Sequence, residues 1–276
     1  MSRLTARFET LQAHSRKALV PYIMTSDPQP EVTLPLMHAM VKAGADIIEL
    51  GAPFSDPMAD GPVIQLAAER ALEHNTSLHD VFKVVEQFRQ TDPDTPIIMM
   101  GYLNPIEVMG YDVFAERASS AGIDGIITVD MPPEEAGDYI AALRQHGIDP
   151  VFLLAPTTTE TRMDKIAAVA SGFAYYVSLK GVTGAATLNV AEVADKMTTI
   201  RKHIKIPVGV GFGIKDAQTA ASISACADAV VVGSAIVTRM AENSGNTDNI
   251  IKEVTEILAS MRNAMDAAGA TKIKTA

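Results

Sequence analysis

One local pattern recurs along the chain and leaves few folds open to it. A stretch of helical periodicity ends in glycine, a polar residue follows, and a short apolar run rich in β-branched residues comes next. Gly44-Ala45-Asp46-Ile47-Ile48-Glu49-Leu50, Gly122-Ile123-Asp124-Gly125-Ile126-Ile127, Gly147-Ile148-Asp149-Pro150-Val151-Phe152-Leu153 and, more loosely, Gly172-Phe173-Ala174-Tyr175-Tyr176-Val177 share it. Two further runs enter through proline, Pro96-Ile97-Ile98-Met99-Met100 and Pro207-Val208-Gly209-Val210, and Leu19 to Met24 and Ala227 to Val232 bring the count to eight. Helical periodicity fills most of the intervals, as in Glu134 to Arg144 and Thr159 to Ala170, so strand and helix alternate.

Alternation of this kind means a parallel sheet, and runs that are apolar throughout are strands buried on both faces. Eight βα units within 276 residues match a closed (β/α)8 TIM barrel better than an open doubly wound sheet. No Ser/Gly linker or block of charge divides the chain, so residues 1–276 are expected to form a single barrel domain. The first dozen residues and the stretch from Asp248 to Ala268 are expected to add an N-terminal and a closing helix, with a frayed tail from Thr271.

Composition narrows the function. A formal net charge of −10 argues against sequence-independent nucleic-acid binding, which needs basic surface. Any anion must therefore be held locally. The single cysteine, Cys226, excludes an internal disulfide framework and sulfur-based zinc patterns, and suits a cytoplasmic protein. The six histidines are scattered and form no metal-binding pattern. The apolar runs are too short to span a bilayer, so no membrane association is expected.

In a barrel of this class, chemistry sits where strands give way to loops at their C-terminal ends. Three such places stand out. Glu49 lies among aliphatic residues near the end of the second strand, where desolvation raises a carboxyl pKa toward the range useful for acid-base work; a paired structural carboxylate is the alternative. The loop that follows, Gly51 to Pro62, carries three prolines, two glycines, and Asp56 and Asp60. Asp60 precedes a helix expected to begin near Pro62, so helix cap and catalyst remain equally open for it. The third place is a pair of glycine-rich turns, Gly209-Val210-Gly211-Phe212-Gly213 and Gly233-Ser234, after strands seven and eight. There, backbone N–H groups and a helix N-terminus suit a phosphate. Among the methionines, Met24, Met99 and Met100 lie on strands within reach of a pocket wall. Lys180 sits in a glycine-rich loop rather than an apolar strand, which argues against a Schiff-base role.

With these places marked, the chain resembles one family along essentially its whole length. Leu50-Gly51-Ala52-Pro53-Phe54-Ser55-Asp56-Pro57-Met58-Ala59-Asp60-Gly61-Pro62-Val63-Ile64-Gln65 looks like the signature of tryptophan synthase α subunits. Gly101-Tyr102-Leu103-Asn104-Pro105, Val129-Asp130-Met131-Pro132-Pro133 and Gly211-Phe212-Gly213-Ile214 support the resemblance. It implies a carbon–carbon lyase of tryptophan biosynthesis, cleaving indole-3-glycerol phosphate to indole and glyceraldehyde 3-phosphate. Glu49 and Asp60 would be the catalytic pair. Tyr22, Ile64, Met100, Ile127, Val129, Leu153, Tyr175 and Phe212 would surround the indole, with Tyr102 and Thr183 completing and closing the site. Gly184, Gly213, Gly233 and Ser234 would hold the phosphate.

The resemblance further implies a partner, the tryptophan synthase β subunit in an α2β2 heterotetramer, met near Pro53, Asp56 and Pro132. It implies no cofactor in this chain, with pyridoxal phosphate expected in that partner. Three positions depart from the family's usual residues: Ser26 stands for glycine in Gly-Asp-Pro, Met100 for leucine and Val129 for alanine, which points to a somewhat reshaped indole pocket. Other phosphate-binding barrels, such as an indole-glycerol-phosphate synthase, a phosphoribosyl isomerase or a sugar-phosphate epimerase, are the rival enzymes. A catalytically weak subunit that activates its partner is the rival binding function.

Overall fold

The computed structural model describes residues 2–178 and 189–275, with side chains through residue 270. Its strands are β1 (Ala18–Met24), β2 (Ile48–Gly51), β3 (Ile97–Gly101), β4 (Gly125–Thr128), β5 (Asp149–Leu154), β6 (Ala174–Val177), β7 (Val208–Gly211) and β8 (Ala229–Val232). They pair in parallel in chain order, and β8 returns to β1 with Ala18 to Pro21 opposite Ala229 to Val232. That last ladder closes the barrel and excludes the open sheet. All eight expected runs are strands.

The helices are α1 (Arg3–Ala13), α2 (Pro30–Lys42), α3 (Pro62–Glu73), α4 (Leu78–Arg89), α5 (Leu103–Met109), α6 (Tyr111–Ala121), α7 (Gly137–Gln145), α8 (Glu160–Val169), α9 (Val190–His203), α10 (Ala217–Ser224), α11 (Ser234–Glu242) and α12 (Thr247–Thr275). Successive strand residues point to opposite faces, so each apolar run serves two cores. Leu19, Ile23, Ile48, Leu50, Met99 and Val230 pack against the helices, while Val20, Ile47, Ile98, Ile127, Val151 and Val231 fill the barrel interior.

α1 closes the N-terminal end of the barrel. Its Leu4, Phe8 and Leu11 recur at helical spacing on one face and join the interior cluster, with the Phe8 ring 5.9 Å from that of Phe173. Gly125 and Gly172 make room for this plug, because a Cβ at either would lie about 3 Å from Leu4 Cδ1. Ser2 caps the helix through Thr5 N–H and donates to Asp149 at 2.6 Å, tying it to β5.

In two of the repeats, and ahead of β8 as well, the Asp that precedes the strand turns out to be a clamp. Asp46, ahead of β2, accepts the Leu19 N–H of β1 at 2.9 Å; Asp124, ahead of β4, accepts the Ile97 N–H of β3 at 2.8 Å; Asp228, ahead of β8, accepts the Val208 N–H of β7 at 3.0 Å. An arginine then neutralises each: Arg262 at 3.0 Å, Arg89 at 2.8 Å and Arg201 at 3.0 Å. Three strand pairs are thus locked at the end of the barrel opposite the loops expected to carry chemistry.

α12 packs between α10 and α2 and carries Arg262, so it closes the outer layer as expected. The expected frayed tail is corrected: α12 continues through Thr275. Gly269 costs a helix only about 1 kcal/mol, and nothing downstream of it breaks the turn. No helix among the described residues is long and apolar enough to cross a membrane.

Candidate active site

Period-two alternation on β2 puts Ile47, Glu49 and Gly51 on the inward face, and this is what buries a carboxylate inside an apolar barrel. Glu49 is 1% exposed, and its Oε2 has no hydrogen-bond partner among the described residues. Desolvation, reinforced by the charge of Asp60, pushes its pKa up to about 8. Glu49 is therefore a protonated acid near neutrality.

Asp60 ends the loop after β2 and is buried. It does not cap α3: the N-cap is Gly61, followed by Pro62 at the first helical position. Freed from that duty, its Oδ2 accepts the Tyr102 hydroxyl at 3.1 Å, while its carbonyl accepts the Gln65 amide at 2.8 Å. Burial raises its pKa and the Tyr102 hydrogen bond lowers it, leaving it at about 6. The two carboxyls thus sit on opposite sides of pH 7, the arrangement that separates an acid from a base. Tyr102 is itself fixed by Ala59 N–H at 3.0 Å and by stacking on Phe54, 5.2 Å between ring centroids.

A cavity of about 830 Å³ opens above this pair. Tyr22, Ile64, Met100, Tyr175 and Phe212 line it with Glu49 and Asp60, and so do Gly213, Gly233 and Ser234. Gly233 precedes α11, whose first N–H groups have no partner within the helix, and Ser234 and Ala235 of that first turn line the cavity. Phe212 and Gly213 both take positive φ, 74° and 73°, which turns the chain sharply after β7.

Other expected residues lie elsewhere. Ile127 is fully buried in the barrel interior beside Met100, its register partner, and Val129 and Leu153 pack half-buried against the same cluster without reaching the cavity wall. Tyr102 reaches the site only through Asp60. Thr183, Gly184 and Lys180 lie outside the described residues. Asp56 is exposed, Pro132 half-buried and Pro53 buried.

The glycine-rich turn expected after the seventh strand is corrected. Gly209 and Gly211 belong to β7 and face inward, where added Cβ atoms would lie 3.1 Å from the Phe173 ring and 2.1 Å from the Tyr175 hydroxyl; only Gly213 belongs to the turn. Of the three methionines, Met100 reaches the cavity and Met99 packs outward. Ser26 adopts φ 66°, the left-handed region that explains the glycine usual there, and does not line the cavity. Val231, Lys215 and Arg239, none of them singled out in the sequence, also line it. Val231 was legible as the inward position two residues before Gly233; the two cations follow from how α10 and α11 pack. Among the described residues no cluster of His, Cys, Asp and Glu is placed to hold a metal ion.

Comparison with known proteins gives the family. Residues 8–267 match the family model described as tryptophan synthase alpha chain. The tryptophan synthase alpha chain of Thioalkalivibrio sulfidiphilus is 61% identical over 266 residues, 96% of this chain and all of that one, and that of Nitrosococcus oceani is 58% identical over 97% of this chain and 98% of its own. Among solved structures, tryptophan synthase subunit alpha from Legionella pneumophila superposes with a TM-score of 0.90 at 45% identity, covering 97% of this chain and 99% of that one. Tryptophan synthase from Mycobacterium tuberculosis does so with a TM-score of 0.86 at 34% identity, covering 96% and 98%. This chain belongs to the tryptophan synthase alpha chain family.

Proposed function

We propose that this chain cleaves indole-3-glycerol phosphate to indole and glyceraldehyde 3-phosphate with Glu49 and Asp60 as its acid-base pair. The lyase reaction of tryptophan biosynthesis is the family's reaction and this chain's. The observation that carries the assignment of roles is the pair itself: two buried carboxyls in one cavity, one with a pKa of about 8 and the other of about 6.

Carbon–carbon cleavage is a retro-aldol step, and indole C3 leaves poorly unless the ring is first converted to its indolenine tautomer. Protonated Glu49 delivers a proton to C3 while ionised Asp60 accepts the N–H proton, stabilising the positive charge that develops on the ring nitrogen. Glu49, now a carboxylate, removes the proton from the chain hydroxyl next to C3. The bond breaks, the aldehyde leaves, its electron pair returns to the ring, and Asp60 gives back the nitrogen proton. Both residues end as they began.

Tyr22, Ile64, Met100, Tyr175 and Phe212 supply the walls for the ring. Gly213, Gly233 and Ser234, with the N-terminus of α11, receive the phosphate, and binding at that remote point orients the reacting carbon against the carboxyls. Ile127, Val129 and Leu153 pack in the same apolar cluster as Met100 and Tyr175 and so support those walls. The resemblance gives Thr183 and Gly184 parts in closing the site and holding the phosphate, and both lie outside the described residues. The chemistry consists of proton transfers, so it asks for no cofactor in this chain.

The chain works as one barrel domain, residues 1–276, with a tryptophan synthase β subunit in a cytoplasmic α2β2 heterotetramer, and pyridoxal phosphate belongs to that partner. Exposed Asp56 and the exposed apolar Met58 and Val108, all on segments following β2 and β3, support a partner face there, with Pro53 and Pro132 shaping it. The test is indole release by the purified chain, with and without a β subunit and with Glu49→Ala as control. Release that rises with the partner and vanishes in the variant is expected; no release under either condition overturns the assignment.

A further inference from the structure

Tyr22 and Glu49 are register partners on neighbouring strands, β1 and β2, and both line the cavity. Each buries a polar atom that lacks a strong partner among the described residues. The Tyr22 hydroxyl, on a residue 3% exposed, makes its hydrogen bond to Met24 Sδ at 3.9 Å, and a thioether is a weak acceptor. Glu49 Oε2 has no partner. Buried polar atoms are normally satisfied, so one unmet oxygen and one weakly met hydroxyl on the same wall mark the place of a polar ligand group.

The hydroxyl is also held there by the backbone. A Cβ on Gly51 would lie 2.3 Å from Tyr22 Oη and 3.0 Å from Met24 Sδ, so only glycine at this point of β2 leaves the phenol its position. A phenylalanine at position 22 would make the same apolar wall; the hydroxyl adds a donor and an acceptor to it. Neighbouring strands run about 4.8 Å apart, and two hydroxyls on adjacent carbons are suited to meet one polar group from each.

We propose that the Tyr22 hydroxyl binds the second hydroxyl of the substrate's glycerol chain, the one Glu49 does not deprotonate, so that the β1–β2 pair reads a vicinal diol. The inference rests on the reaction proposed above, in which Glu49 takes the hydroxyl next to C3. Tyr22 is then a specificity residue, selecting a dihydroxylated chain over a deoxy one and aligning the reacting hydroxyl with Glu49.

The experiment compares Tyr22→Phe with the unaltered chain, in the presence of a β subunit, using indole-3-glycerol phosphate as substrate and indole-3-propanol phosphate, which lacks both chain hydroxyls, as competitive inhibitor. The variant should lose about tenfold in kcat/KM, the scale of one hydrogen bond to a substrate hydroxyl, with the inhibition constant of the deoxy compound changing less than about twofold. Its pH–rate profile should keep its shape. Unchanged kcat/KM overturns the inference, and so does an equal loss toward both compounds, which would make Tyr22 an apolar wall. A shifted pH profile overturns it as well, because the hydroxyl would then act through Glu49. Failure of the unaltered chain to release indole would instead refute the underlying reaction.

Discussion

The Tyr102 hydroxyl donates to Asp60 Oδ2 at 3.1 Å while accepting Ala59 N–H at 3.0 Å, so one side chain sets both the charge of the second carboxyl and the path of its loop. Removing the donor takes away the interaction that lowers the Asp60 pKa. In Tyr102→Phe, Asp60 should titrate above its present value of about 6, moving the acid limb of the pH–rate profile upward and leaving less of the ionised form at pH 7. Steady-state rates from pH 5 to 9 check this; an unmoved acid limb would limit Tyr102 to holding the loop.

The same profile should fall again above about pH 8, where Glu49 loses the proton it must deliver. Glu49→Gln should lower turnover by a factor on the order of 10² to 10⁴, the usual contribution of one acid-base group.

That substitution should also stabilise the fold. A carboxyl whose pKa rises from 4.5 to about 8 on burial makes the folded state bind the extra proton, so stability declines as pH climbs from about 4.5 to about 8. Replacing Glu49 by neutral Gln should recover on the order of 3 kcal/mol at pH 7 and almost nothing near pH 4.5. Urea unfolding at the two pH values measures the difference, and equal gains at both would contradict it.

Gly211 tests the packing of the cavity wall. An alanine there would put a Cβ 2.1 Å from the Tyr175 hydroxyl and 2.6 Å from its ring, both buried. Gly211→Ala should cost about 1–3 kcal/mol by overpacking, and the displaced ring should raise KM. Thermal unfolding and steady-state kinetics report the two effects, which should appear together.

At the opposite end, Asp124 holds Ile97 N–H, Arg3 and Arg89 from a site 4% exposed. Asp124→Ala would leave buried donors and a guanidinium without their acceptor, and should cost about 3–5 kcal/mol. Because this end is separated from the cavity by the filled barrel interior, kcat at a temperature where the variant stays folded should be unchanged. A large fall in kcat would show that the two ends are coupled.

The barrel was legible in the chain because its signal is local and repeated. A strand buried on both faces must be apolar throughout, and a glycine closes the helical stretch ahead of four of the eight strands. Glu49 stood out for the same reason, as a charge where such a strand forbids one. Gly209 and Gly211 were misread because a glycine in a turn and a glycine beneath an aromatic ring look identical until the ring's position is known. Ile127, Val129 and Leu153 were assigned to the pocket by resemblance, yet the depth at which each strand residue sits depends on the stagger of the closed sheet.

What the sequence by itself determined is therefore the alternation of elements, the two faces of each strand and the presence of a carboxylate in an apolar layer, since each depends on neighbours along the chain. Only the tertiary structure decided that Asp46, Asp124 and Asp228 are clamps and that Asp60 faces Tyr102 instead of capping α3. It likewise decided that Tyr22 and Tyr175 lean over Gly51 and Gly211. These relationships join residues tens of positions apart, and closing the ring of strands is what brings them within hydrogen-bonding distance.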